Sequence, residues 1–330
     1  MPAFAGSPCS NGDAYPEVSA LRVEDGRLVA LLGTHFAEKR ATKRPDGSDG
    51  YVLMLPQLSM SMDGEWQADG VAKPGDWANR SSSQCLVAPR DPQGAWAAVY
   101  PGMTYNAGAE DYYEQSIHSC ASDGKSLWGG TSFYGGEGYW GAGRLVRKDL
   151  KTGDVEFIRL QPKTVSSGSI GPLAYFADKL WMGTYWDGEC SGPAPGAGMR
   201  RLYRSPYLDY AVAENVPEVC GFAIRDFQEF DGALWAATEL GLSRLTDEEG
   251  PVWSNFVPDL DDPALFRELS CDELYIELLS SEEFANVAGL NVGNAFDAFW
   301  KRLSVLRPGF TVRYLRKLHG HATEDYPQGH

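Results

Sequence analysis

Asp123-Gly124-Lys125-Ser126-Leu127-Trp128-Gly129-Gly130-Thr131 decides the fold, because it recurs along the chain. Asp178-Lys179-Leu180-Trp181-Met182-Gly183-Thr184 is a second copy, and Asp231-Gly232-Ala233-Leu234-Trp235-Ala236-Ala237-Thr238 a third. Two weaker copies precede them. Asp25-Gly26 leads to Leu31-Leu32-Gly33-Thr34, and Asp91-Pro92-Gln93-Gly94 leads to Trp96-Ala97-Ala98-Val99. In each copy Asp-Gly or a relative supplies the positive-φ positions of a tight hairpin turn. The strand that follows carries a Trp whose large area needs a neighbouring sheet to cover it. A further arm comes after several copies, as in Gly143-Arg144-Leu145-Val146-Arg147-Lys148-Asp149 and Gly241-Leu242-Ser243-Arg244-Leu245-Thr246. Lys151-Thr152-Gly153-Asp154 then turns into Val155-Glu156-Phe157-Ile158.

Four short antiparallel strands per copy, at roughly 40–50 residues per repeat, predict a β-propeller blade. Trp128, Trp181 and Trp235 are 53 and 54 residues apart, slightly long for a blade, whereas Trp96 precedes Trp128 by only 32. The expected fold is all-β, a propeller of about five four-stranded blades with a C-terminal helical segment.

The Leu-Trp-x-Gly-Thr strand with its Gly-Leu-x-Arg-Leu arm resembles the two-component-regulator type of propeller repeat. The resemblance is good at Trp128, Trp181 and Trp235, fair at Leu31 and Trp96, and spans about residues 18–258. It implies a propeller and an extracytoplasmic ligand-sensing role. It implies no catalytic residues, since the repeat motif is structural.

Composition narrows the function classes. The 330 residues are 43% hydrophobic and 22% charged, enough to bury a core. A net charge of −16 argues against a nucleic-acid partner, which needs a basic face for phosphates. No run reaches the roughly 18–20 apolar residues of a membrane span. Met1 to Gly12 has neither a basic start nor an apolar run of seven or more, so no intact signal peptide is read there. None of the six cysteines sits in a C-x-x-C pair, so a zinc site is not expected. Cys190 and Cys220 belong to neighbouring repeats on one face, and a disulfide between them is the expectation, together with a secreted or periplasmic location.

Residues 1–17 read as an extension, 18–258 as the propeller, 259–318 as a helical segment packed on it and 319–330 as a loose tail. Asp262-Pro263 fits a helix start, and Leu265, Phe266 and Leu269 follow at helical spacing. Cys271–Leu279 and Ala295–Leu306 read the same way. These helices are the expected place for a protein partner. His319-Gly320-His321 would hold a metal only with ligands from elsewhere, and neither metal nor cofactor is predicted.

The loops after the second strand of each blade share one face of a propeller, where ligands converge. Here they carry Phe133, Tyr134, Tyr139 and Trp140 in one blade and Tyr185 and Trp186 in the next. Rings among glycines give flat apolar area with little rotamer entropy to lose, which suits a small molecule or glycan. The rival reading is a hydrolase or lyase at the axial mouth using His118, Arg225, Asp226 and Glu239. His118, Gly171 and Arg225 are equivalent if the Trp is the anchor; Asp226 replaces Arg225 if the turn Asp is. A one-residue slip reverses the face of every side chain, so the two alternatives differ in substance. A third reading is an interaction scaffold.

Overall fold

A computed structural model describes residues 17–33, 36–77, 104–106, 112–114, 117–131, 145–158, 160–161, 169–185, 198–204, 211–216, 218–220, 224–238, 240–246, 252–258 and 266–274. Its described residues are built almost wholly from antiparallel sheets. The first contains β1 (Val18–Glu24), β2 (Arg27–Leu32), β3 (Glu38–Lys43), β4 (Asp49–Met60) and β5 (Trp66–Ala72), in the order β1-β2-β4-β3 with β5 also on β4. A one-turn helix, α1 (Pro74–Trp77), follows, and then a small hairpin of β6 (Thr104–Asn106) and β7 (Tyr112–Glu114). The second sheet is a meander of β8 (Ile117–Ser122), β9 (Ser126–Thr131), β10 (Leu145–Asp149) and β11 (Val155–Ile158). The third runs β13 (Ser169–Phe176), β14 (Lys179–Tyr185), β15 (Gly198–Arg204) and β16 (Ala211–Asn215), with the short parallel β12 (Leu160–Gln161) on its edge. The fourth runs β17 (Ile224–Phe230), β18 (Ala233–Thr238), β19 (Gly241–Thr246), β20 (Val252–Pro258) and β21 (Phe266–Glu268).

The hairpins form where the repeat places them. Asp25-Gly26, Ala177-Asp178 and Asp231-Gly232 all have positive φ at both central positions, the twist that matches two antiparallel strands. The copy at Asp123 has a longer turn. Partial burial raises the pKa of its carboxylate, but the N–H bonds that carboxylate accepts from Ser126, from Lys125 at 2.8 Å and from the Trp128 indole at 3.3 Å, with the nearby Arg147 charge, lower it overall.

The Trp residues face successive gaps between sheets. Trp128 packs with Leu173 and Met182 of the third sheet, and Trp181 with Phe227 and Trp253 of the fourth. Trp235 packs with Leu28, Leu58 and Met60 of the first. The Trp181 and Trp253 rings meet edge to face at 5.5 Å, and Trp66 and Trp235 do so at 6.1 Å. On the adjacent strand an Arg stands opposite each Trp: Arg147 to Trp128, Arg201 to Trp181 and Arg244 to Trp235. The Arg147 and Arg244 guanidinium carbons lie 5.8 Å and 5.5 Å from the Trp128 and Trp235 rings.

The first strands β8, β13, β17 and β1 pack against one another in that order. The fourth sheet therefore returns onto the first, and the arrangement is propeller-like. The far face of the first sheet, with Ala20, Val29 and Leu31, packs among the described residues on Trp77. The copy around Trp96 lies outside the described residues.

Three expectations are corrected. Counting from the turns, Val29 takes the place of the Trp in the first sheet, and Leu32 that of Thr131. The copy read at Leu31-Leu32-Gly33-Thr34 is thus displaced by two residues, a shift that leaves every side chain on its face and so escapes an alternation pattern. Phe266–Glu268 is a strand, not the start of a helix. It completes the open edge of β20, and Phe266 reaches the Trp66 ring at 4.7 Å. Within 259–318 helix is described only at 271–274, and residues 275–318 lie outside the described residues. Finally, Cys220 pairs with Cys271, at a Cα separation of 5.1 Å, rather than with Cys190.

Candidate functional site

Each of the four first strands carries a bulge near its start. Pairing breaks between Val18 and Ala20, Ile117 and Ser119, Ile170 and Leu173, and Ile224 and Asp226. Opposite these breaks the second strands are ending, since Val18, Ile117, Ile170 and Ile224 pair with Leu32, Thr131, Thr184 and Thr238. A bulge inserts an unpaired residue, bends its strand and re-aims a side chain. The inserted residues are Ser19, His118 and Arg225, and in β13 Gly171 and Pro172 together stand against Gly183. Ser19, His118, Gly171 and Arg225 thus share one register level of the four first strands, the equivalence that counting from the Trp gives for the last three.

The loops that leave the second strands start at this same end. In the fourth sheet the connection is only Glu239-Leu240. It is tightened by the Thr238 hydroxyl, which donates to Gly241 O at 3.2 Å and accepts the Leu240 N–H at 3.0 Å. The second and third sheets send out residues 132–144 and 186–197 instead. Phe133, Tyr134, Tyr139, Trp140, Trp186 and Glu239 lie outside the described residues, whereas Tyr185 is the last residue of β14 and pairs with Ser169. His118 is placed in β8 by its backbone.

Arg225 and Asp226 have opposite environments. Arg225 is exposed, and its Nε donates to Glu17 Oε1 at 2.7 Å across the joint between the fourth and first sheets. Glu17 has little room to move. Its backbone carbonyl accepts the Gly33 N–H at 2.7 Å, and a Cβ on Gly33 would come within 2.6 Å of the Glu17 Cβ. Asp226 is 3% exposed. One carboxylate oxygen accepts the Leu21 N–H of β1 at 3.0 Å, the other the Phe227 N–H at 2.9 Å. Burial pushes its pKa from 3.8 up to about 7, against the pull of the two amides. Both oxygens are thus engaged in joining the first and fourth sheets.

Sequence reasoning passed over Glu17, which precedes the repeat pattern, and Ser119, which is buried beside His118 with a hydroxyl that has no partner. The position after each bulge was the available signal, since it reads Ala20, Ser119, Pro172 and Asp226 where a plain apolar strand would read aliphatic. No group of His, Cys, Asp and Glu suited to a metal occurs among the described residues, and none of the described helices is long and apolar enough to cross a membrane.

No family model matches the chain, and no curated protein does. Among solved structures it is similar to the extracellular domain described for a hybrid two-component system of B. thetaiotaomicron. That likeness has 10% identity over 73% of this chain and 28% of that one, with a TM-score of 0.29. It is also similar to PorZ, a surface component of the type-IX secretion system of Porphyromonas gingivalis, at 12% identity over 72% of this chain and 34% of that one, TM-score 0.31. An exo-1,5-α-L-arabinanase from a bovine ruminal metagenomic library gives 11% identity over 78% of this chain and 98% of that one, TM-score 0.27. The chain spans about a third of the first two or less. Likenesses this distant carry no functional conclusion.

Proposed function

We propose that this chain is an exported propeller of about five blades that binds a small molecule or glycan at the bulged end of its sheets. The observation that supports the reading is the shared bulge. It turns Ser19, His118, Gly171 and Arg225 out of the ladder at the end where the two long aromatic connections begin. Polar side chains from the bulges would fix hydroxyls while Phe133, Tyr134, Tyr139, Trp140, Tyr185 and Trp186 supply stacking area. The disulfide at Cys220 and Cys271, and a second one that includes Cys120, favour an oxidising compartment.

The test is a glycan and small-molecule screen followed by calorimetry. Trp140→Ala or Trp186→Ala is expected to weaken binding by about 2 kcal/mol or more, as for buried aromatic anchors, and to leave the fold intact. Variants that bind as wild type but melt earlier would make the rings packing residues and remove the site.

A hydrolase or lyase is the second reading, supported by His118 and Arg225 at equivalent bulges. It predicts that His118→Ala abolishes turnover while binding is nearly unchanged. Asp226 serves this reading poorly, because its oxygens are already bonded to backbone amides. The scaffold reading rests on the C-terminal segment and predicts a protein partner lost on deleting residues 275–330.

A further inference from the structure

On the far face of the first sheet the described residues line a cavity of about 390 Å³. Arg22 and Trp77 form one wall, with the guanidinium carbon 4.1 Å from the ring centroid. Arg22 also pairs with Glu24 at 2.6 Å through its terminal nitrogen, which leaves Nε to face elsewhere. Two N–H groups of this wall, Arg22 Nε and Trp77 Nε1, are buried without a hydrogen-bond partner. Trp77 itself is only 3% exposed. A buried donor left unpaired is costly, and two on stacked side chains that both line one cavity are placed to share an acceptor.

The remaining lining states what that acceptor is. Lys73 and Arg22 outweigh Asp76 within the lining itself, and the Arg22 charge is also met by Glu24 from outside it. Val71 and Met54 add an apolar side. The volume falls within the range of small-ligand sites.

We propose that this cavity is a second binding site, for a small organic carboxylate whose oxygens accept from Arg22 and Trp77 and whose short apolar end lies on Val71 and Met54. Its lining includes none of the bulge residues Ser19, His118, Gly171 and Arg225 and none of the aromatic connections, so variants at Arg22, Lys73 and Trp77 test it separately from the proposed site.

The test is titration of the intact, isotope-labelled protein with propionate, following the indole N–H resonances of its ten tryptophans. Loss of one resonance in Trp77→Phe identifies Trp77. The expected result is a saturable downfield shift of that resonance with propionate, and none with propylammonium or with sodium chloride at equal ionic strength. Lys73→Ala changes an exposed residue and so keeps the fold; it is expected to raise the half-saturating concentration, and Arg22→Lys to raise it by roughly tenfold, the size of one charge-assisted hydrogen bond. A Trp77 resonance that does not move would overturn the proposal. So would an equal response to propylammonium, an unchanged half-saturation in both variants, or a magnetisation transfer to water alone, which would mean that a trapped water satisfies the donors.

Discussion

Replacing Asp226 by Asn removes a buried ionisation and little else. The side chain keeps its shape and one acceptor for the Leu21 N–H, and it loses the acceptor facing the Phe227 N–H. In the unfolded chain the carboxyl titrates near 3.8, and in the fold near 7. The folded state therefore holds a proton that the unfolded chain releases between those values. Stability from this group is fully present below about pH 4, falls as pH rises and is flat above about pH 7. The difference between 3.8 and 7 makes its folded-state ionisation about 4 kcal/mol costlier. Urea unfolding of wild type and Asp226→Asn from about pH 4 to pH 8 measures this directly. Asp123 and Asp149, whose pKa values are lowered, act in the opposite direction in both proteins and cancel in the difference. The stability difference should shift toward the variant as pH rises, by up to about 4 kcal/mol, and then level off. A difference that stays constant with pH would refute a buried, uncompensated Asp226 at the joint of the first and fourth sheets.

Other outcomes follow from the packing. Trp181→Ala should cost about 3–5 kcal/mol, read as a loss in the unfolding midpoint, because the ring is 1% exposed between two sheets. Replacing Cys220 and Cys271 together by Ala opens a loop of sequence separation 51 and should lose about 4 kcal/mol by equilibrium unfolding. Mass spectrometry of the unreduced protein should find a peptide joining these two residues, and a Cys190–Cys220 peptide would contradict the fold of the last sheet.

The blade pattern was legible at Trp128, Trp181 and Trp235, while the copy at Trp96 lies outside the described residues. Trp128, Trp181 and Trp235 fixed turn, strand and partner arm because each is large enough to need a whole neighbouring sheet. The first sheet has Val29 in that place, and alternation alone cannot tell registers two residues apart. The choice between Arg225 and Asp226 turned on the bulge, which changes register within a strand; sequence spacing measured from either end of the strand is then correct on one side of it only. Cys271 was missed as the partner of Cys220 because Phe266–Glu268 was read at helical period. That short stretch is instead set by a non-local demand, the open edge of β20 and the Trp66 ring. The aromatic segments stood out in composition, but residues 132–144 and 186–197 lie outside the described residues, and only the ends of β9 and β14 that they follow are seen.

A crystal structure soaked with the tightest ligand from the screen tests the central claim most directly. The account predicts ligand density at the bulged end of the sheets, stacked on Trp140 or Trp186 and within hydrogen-bond reach of His118, Ser19 or Arg225. Density on the outer rim, with the bulged end holding water alone, would contradict it.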